Sequence, residues 1–429
     1  DCAVLQPDLT RLSTPAGGGI RPRANRRRRR HIPARPEEGA MTPYLEELPA
    51  SVETIAALKE CILTNIVLLG QIPAPTFKEK QRATAFLERL AEFQVDECTF
   101  DGYRNPIGII RGESRSKPPI FIVAHLDTFF PVDVDHNFSV ERNTITGPGV
   151  SDNSASVGVL AAMPEIFRRL NLRFQSDIVL AGVIQSLGWG NLRGVRHLLK
   201  TWSTPIRGAV VVESTELGRL NYVADGMIRC EITCRVAPEN PAAQRFRPNA
   251  ILVLNEVINQ LLQLRLPQRP RARVIIGKIA GGFKHGVIAY NATLGFEIQS
   301  DVDRMVRQVF DDIQDIVDGI VHEHQVDLTL KTISNIKASR LPYRHPLVKS
   351  TVAVMKALNL KPISEPSESE LSIFLSRRIP AVTVGLTHGR NFHREDATIE
   401  IAPLFTGIAQ VVGIIRAIDS GVCDDEKLA

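Results

Sequence analysis

The chain has 429 residues, 44% hydrophobic and 23% charged, the balance of a soluble globular protein with room for more than one core. Its formal charge of +5 sits within residues 1–40, where nine arginines face four acidic side chains, so the remaining body is neutral. That excludes a basic, nucleic-acid-binding body, and no run nears the roughly 18 consecutive apolar residues of a membrane span.

Residues 1–40 are rich in Pro, Gly and Arg and have no periodic apolar face, so they are expected to be disordered and outside the fold. They contain no apolar stretch of signal-peptide length, and amphipathic patterning begins only at Met41, which reads as an upstream extension. An RNA-binding or localisation arm is the alternative. The six cysteines are scattered without a zinc-type pair, and the default location is cytoplasmic.

Apolar residues at helical spacing predict helices over 52–70 and 77–93, separated by Pro73 and Pro75. The short apolar run 119–124 predicts a buried parallel strand. A helix is expected at 154–170, a strand at 177–184, a helix near 191–201 and a strand at 207–212. This alternation predicts an α/β layer around a mostly parallel sheet. From 227 the order becomes strand 227–236, helix 249–264, strands 272–279 and 287–298, helix 301–324 and strand 326–333. That βαββαβ order is the ferredoxin-like unit. A helix at 346–358, a strand at 380–385 and a helix at 403–418 return to the first pattern. The sequence thus predicts a discontinuous α/β domain with an α+β domain inserted in it.

The chemistry begins where the strand at 119–124 runs into His125-Leu126-Asp127-Thr128. Ligands of open α/β sheets gather at the carboxyl ends of strands. A histidine there, with a carboxylate two residues on to fix its tautomer, suits a metal. Gly147-Pro148-Gly149-Val150-Ser151-Asp152-Asn153-Ser154 then presents Asp152 just before a helix. Glu213 ends the next apolar strand, and His393 lies in Asn391-Phe392-His393-Arg394-Glu395-Asp396.

Taken together, these residues resemble the co-catalytic zinc peptidases related to peptidase T, aminoacylase, acetylornithine deacetylase and succinyl-diaminopimelate desuccinylase. The resemblance spans about 55–420 and rests on the HxDT strand end, the GPGxxD[DN] turn and the late histidine, in that order. It implies a zinc-exopeptidase-like sheet with helices on both faces, plus a ferredoxin-like lid. By resemblance, 41–225 and 339–429 would form the catalytic domain and 226–338 the lid and dimerisation domain. His125, Asp152 and Glu213 would hold one metal, Asp152 would bridge to a second that also takes His393, and Asp127 would orient His125. The implied ion is Zn, with Mn or Co as alternatives. The implied ligand is a small peptide or acyl-amino acid, and the implied partner a second copy through the lid.

The chain departs from that pattern where the resemblance calls for a Glu-Glu pair, a general base followed by a ligand of the second metal. Gln185-Ser186-Leu187 stand there instead, flanked by a matching Gly190-Asn191-Leu192-Arg193-Gly194. A general base contributes roughly 10²–10⁴ in rate. The absent base points to weak or altered amide hydrolysis, and the absent ligand, which leaves the second metal only Asp152 and His393, points to one ion rather than two. The alternative is a non-catalytic relative that binds a peptide or acyl-amino acid as a scaffold. The lid also lacks the histidine of a Gly-Gly-His-Ser segment, with Ala237-Pro238-Glu239-Asn240-Pro241 in its place. His285, in Gly281-Gly282-Phe283-Lys284-His285-Gly286, reads as a solvated loop histidine, with substitution for the missing lid histidine as the alternative.

Three remaining signals carry less. Gly188-Trp189-Gly190-Asn191-Leu192-Arg193-Gly194 is one residue too long for a dinucleotide loop. His322-Glu323-His324 reads as a solvent-facing helix end. Ser367-Glu368-Ser369-Glu370 reads either as a polar substrate contact or as a solvated turn.

Overall fold

The computed structural model describes residues 43–236, 249–367 and 369–424. Seven strands form its central sheet, in the order Glu97–Phe100, Pro106–Ile110, Ile178–Val183, Ile120–His125, Gly208–Thr215, Ala381–Thr387 and Leu220–Asn221. The four inner strands from Ile178–Val183 to Ala381–Thr387 run parallel, and the outer pairings are antiparallel. Every residue of Ile120–His125, Ile178–Val183 and Ala381–Thr387 is buried, so helices cover both faces of the sheet. The alternating pattern of the sequence is therefore realised as an α/β core.

Helix Ala402–Asp419 passes the length and hydropathy test for a membrane span, with a mean hydropathy of 1.3. It packs against Ala381–Thr387 and 72% of it is buried, which makes it a core helix of the sheet. The helices Lys59–Gly70 and Ala155–Arg169 cross so closely that a Cβ at Gly158 would lie 2.4 Å from the Ile66 Cα. Only glycine permits that approach.

A second apolar core belongs to the inserted unit. Its antiparallel sheet has the order Ala272–Gly281, Asn291–Ser300, Gly226–Arg235 and Asp327–Ile336, and helices Ala250–Gln263 and Asp303–His324 pack on it. Burial alternates along Gly226–Arg235, as in a sheet with one face covered. Cys230 and Cys234 lie in this core, and burial pushes their thiols up to about 12 and about 11.

Three features differ from the sequence expectation. The helix expected over 52–70 is two helices, Pro43–Ala56 and Lys59–Gly70, broken by a turn at Ala57 and Leu58. The edge strands Glu97–Phe100 and Pro106–Ile110 add an antiparallel border that the reading did not contain. A small four-stranded sheet joins Ser139–Val140 and Thr144–Thr146 to Thr398–Glu400 and Gly389–Arg390. This small sheet brings the His393 loop to the turn that carries Asp152.

Candidate metal-binding cleft

His125 closes its strand almost fully buried, at 4% exposure. Its Nδ1 lies 3.0 Å from the Asp127 backbone carbonyl and 3.6 Å from the Asp127 carboxylate. Its Nε2 lies 3.0 Å from Asp152 Oδ1. The Asp127 carboxylate has further work: it accepts from Thr76 Oγ1 at 2.8 Å and from the backbone N–H groups of Ser186 and Leu187 at 3.1 and 2.9 Å.

The turn before helix Ala155–Arg169 starts at Gly149, whose φ of +76° suits glycine. Asn153 locks this turn to the strand Gly208–Thr215. Its Nδ2 donates to the Val212 carbonyl at 2.9 Å, and its Oδ1 accepts from the Ser214 N–H at 2.8 Å. Asp152 and Glu213 are fixed relative to each other by that bracket. His393, at the tip of a loop braced by the Asn391–Asp396 side-chain bond, places Nε2 3.3 Å from Asp152 Oδ2. One carboxylate thus stands between two imidazoles.

His125, Asp152 and Glu213 each offer a ligand atom, and all three atoms lie within 4.8 Å of one another. Glu213 has no hydrogen-bond or ion-pair partner among the described residues. Burial pushes its carboxyl up to about 7, with the Asp152 and Glu370 charges adding to the rise and His125 and Arg219 opposing it. A desolvated carboxylate without a partner, beside a second carboxylate and an imidazole, is the donor chemistry of a divalent cation. Burial alone would lower the His125 imidazole, but Asp127 and Asp152 outweigh it and hold that imidazole well above its ordinary value. Asp152 goes the other way. Burial would raise it, and the two histidines hold it below the usual carboxylate range. The His393 imidazole is raised chiefly by its bond to Asp152.

The segment 185–187 is held by its backbone and brings no carboxylate of its own. Gln185 donates its N–H to Glu79 Oε1 at 2.9 Å, and its side-chain oxygen accepts from the Tyr103 hydroxyl at 2.8 Å. Ser186 and Leu187 line the cleft. The Ser186 hydroxyl donates to Glu370, which is 1% exposed and lines the same cleft. Glu370 is therefore not part of a solvated turn, and sequence reasoning left its place open. Glu79 was also missed, because it acts by bonding to backbone rather than by belonging to a motif, and Asn153 was named only as part of the glycine-rich turn, without its bonds to the neighbouring strand.

Arg82 supports the whole arrangement from beneath. Fully buried, it donates to the carbonyls of Gly70, Ile72 and Leu126 and to the Ser154 hydroxyl, on either side of the metal-type cluster. Burial lowers its guanidinium to about 10, against the opposing charges of Asp127 and Glu79.

The cleft encloses about 1190 Å³ between the central sheet and the inserted unit, which contributes Met227, Arg229 and Ser334 among others. His285 is exposed on the hairpin after Ala272–Gly281 and does not line the cleft. Ala237 to Pro241 and residues 1–40 lie outside the described residues. Within the His322–His324 segment, His324 pairs with Glu256 of the neighbouring helix at 2.7 Å, so this histidine is engaged rather than solvent-facing.

No protein-family model matches the chain, and no curated protein matches it by sequence. Solved structures match over most of its length. The dipeptidase Dug1p of Saccharomyces cerevisiae has a TM-score of 0.71 at 11% identity, covering 88% of this chain and 99% of that one. Human carnosine dipeptidase 1 has a TM-score of 0.68 at 10% identity, covering 87% and 100%. A tripeptidase of Staphylococcus aureus has a TM-score of 0.67 at 16% identity, covering 84% and 99%. A Bacillus subtilis protein described as a dinuclear metal-binding peptidase of the M20 family matches at 14% identity and a TM-score of 0.57, covering 83% and 99%. The chain shares the fold of these peptidases over most of its length.

Proposed function

We propose that this protein is a metallopeptidase-like hydrolase that binds one zinc ion at His125, Asp152 and Glu213, with Mn or Co as alternatives. In this reading its cleft takes a small peptide or an N-acyl amino acid and cleaves the amide bond weakly or in an altered way. The carrying observation is the unpartnered Glu213 within 4.8 Å of the His125 and Asp152 donor atoms, with His393 on the far side of Asp152. A bound ion would supply Lewis-acid polarisation of an amide carbonyl. Asp127 would hold the His125 tautomer through its backbone carbonyl, with its carboxylate 3.6 Å from the same nitrogen.

A second ion would find only Asp152 and His393, since Leu187 faces the cleft where another carboxylate would be needed. Leu187 also favours a second reading, a non-catalytic scaffold that binds the same ligands. Residues 41–225 and 339–429 would carry the metal, and 226–338 would act as lid and dimerisation domain. The exposed Ile275 and Ile279 on strand Ala272–Gly281 are in keeping with a partner copy there. We keep a cytoplasmic location as part of this proposal, with no role for nucleic acid or membrane.

The test is the metal content of the purified full chain, with Glu213→Ala as control. About one zinc per chain, lost in the control, is the expected result. A chain that takes up no metal, even from excess zinc, would overturn the proposal.

A further inference from the structure

Glu370 has no part in the metal-type cluster, yet it is 1% exposed and lines the cleft. Among the described residues its carboxylate accepts one hydrogen bond, from the Ser186 hydroxyl, and makes no ion pair. An ionised carboxylate has sites for about four hydrogen bonds. The cations of the cleft do not compensate it. Arg229 pairs with Glu297 at 2.5 Å and Lys278 with Glu231 at 3.2 Å, and Arg219 makes no ion pair among the described residues. The charge that Glu370 does meet is that of Glu213, which repels it. A carboxylate out of water without a counter-charge is held at a cost that a cationic ligand removes.

A second acceptor stands in the same cleft. Asn221 lines it at 5% exposure, and its side-chain oxygen is buried without a hydrogen-bond partner among the described residues. Asn221 lies opposite Thr383 where Leu220–Asn221 pairs with Ala381–Thr387, so the two side chains share a face of the sheet. Thr383 Oγ1 lies 3.5 Å from the Ser369 hydroxyl, which lies 2.8 Å from that of Ser367. Glu370 follows Ser369, so Asn221, Ser369 and Glu370 come together on one stretch of the cleft wall. The backbone there is fastened. Ser367 donates its N–H to the Val223 carbonyl at 2.8 Å, Ile363 to that of Gly218 at 2.8 Å, and Leu220 to that of Ile363 at 2.9 Å. One carboxylate and no imidazole is a poor set for a divalent ion. A carboxylate, an unpartnered amide oxygen and a hydroxyl instead match the three N–H donors of a primary ammonium.

We propose that Glu370, with Asn221, holds a protonated primary amine of the cleft's ligand, so that the cleft prefers a ligand that carries an ammonium over the same ligand without one. This rests on the small-peptide or acyl-amino acid reading above and names a group which that ligand bears. Two sources share the chemistry: the free amino end of a peptide, and the side chain of a lysine-type acyl-amino acid. Both are mainly protonated near pH 7.

The test is calorimetric titration of the full chain near pH 7, with and without zinc, using two pairs of ligands. One pair is L-alanyl-L-alanine and N-propionyl-L-alanine, the other N-acetyl-L-lysine and N-acetyl-L-norleucine. Only the first member of each pair carries an ammonium. In at least one pair that member is expected to bind at least about tenfold more tightly, and the pair that shows it identifies the source. Glu370→Gln, which keeps the shape and removes the charge, is expected to erase the preference. Asn221→Leu is expected to reduce it about threefold, and it supplies the comparison if the Gln variant does not fold. A preference absent from both pairs, or one that survives undiminished in the variants, would overturn the proposal. Neutral ligands that bind as tightly as the charged ones would count against Glu370 alone, and no binding by any of the four would overturn the ligand reading as well. An ammonium preference without zinc uptake would count against the metal site alone.

Discussion

The two walls of the cleft differ in what they hold. One wall, built from the ends of Ile120–His125 and Gly208–Thr215, the turn at Asp152 and the His393 loop, presents two carboxylates and two imidazoles, with Asp152 paired to both imidazoles and Glu213 beside it without a partner among the described residues. The other, the turn at 185–187, is fastened just as firmly by Glu79 and Asp127, yet it offers a hydroxyl and a leucine. The difference therefore lies in side chains and not in backbone placement. The backbone bonds to Asp127 do not depend on what side chains positions 186 and 187 carry.

The sharpest way to break this comparison is to give the second wall its carboxylates. Ser186→Glu with Leu187→Glu alone would put a glutamate against Glu370, whose carboxylate already meets the Ser186 hydroxyl. Like charges in a dry site oppose each other, so the pair is expected to gain little. Adding Glu370→Ala is expected to raise hydrolysis of acyl-amino acids and dipeptides by about 10²–10⁴ over the parent. Release of free amino acid, measured for the double and triple variants with zinc present, checks both expectations. A triple variant no faster than the parent would mean that the first wall is also incompetent.

The next largest effect concerns the support shared by both walls. Arg82→Met keeps roughly the side-chain bulk but leaves the carbonyls of Gly70, Ile72 and Leu126 without their buried donor. A loss of about 3–5 kcal/mol is expected, read from denaturant unfolding. An unchanged midpoint would show that water replaces the guanidinium.

The smallest effect sharpens the first wall alone. Without metal, Glu213 titrates at about 7 and His125 is raised above its ordinary value, so both carry protons at pH 6. A cation needs both deprotonated, and zinc binding at pH 6 should therefore release protons. Affinity should climb between pH 5 and 7, by up to about tenfold per pH unit for each proton displaced, and become less steep above the Glu213 value. Titration calorimetry in two buffers of different ionisation enthalpy counts the protons. A flat profile would mean that Glu213 is not a ligand.

Much of the fold was legible in the sequence because its buried strands are short apolar runs, as at 119–124, and its lid strands alternate. The edge strands Glu97–Phe100 and Pro106–Ile110 were not. They are four and five residues long, and one opens on proline. In the cleft, His125, Asp152, Glu213 and His393 could be named because each sits at a strand end, a glycine turn or a motif. Glu370 could not. A glutamate among serines reads either as a substrate contact or as a solvated turn, and the hydroxyl it meets lies 184 residues earlier in the chain.

The small sheet that ties Thr144–Thr146 to Thr398–Glu400 has a consequence for how the protein comes to life on the ribosome. Asp152 emerges early, but its second imidazole arrives some 240 residues later and is seated only when Thr398–Glu400 zips onto Thr144–Thr146. His125, Asp152 and Glu213 are all synthesised well before His393, so the four-group cluster is complete only once the C-terminal part of the chain has been made.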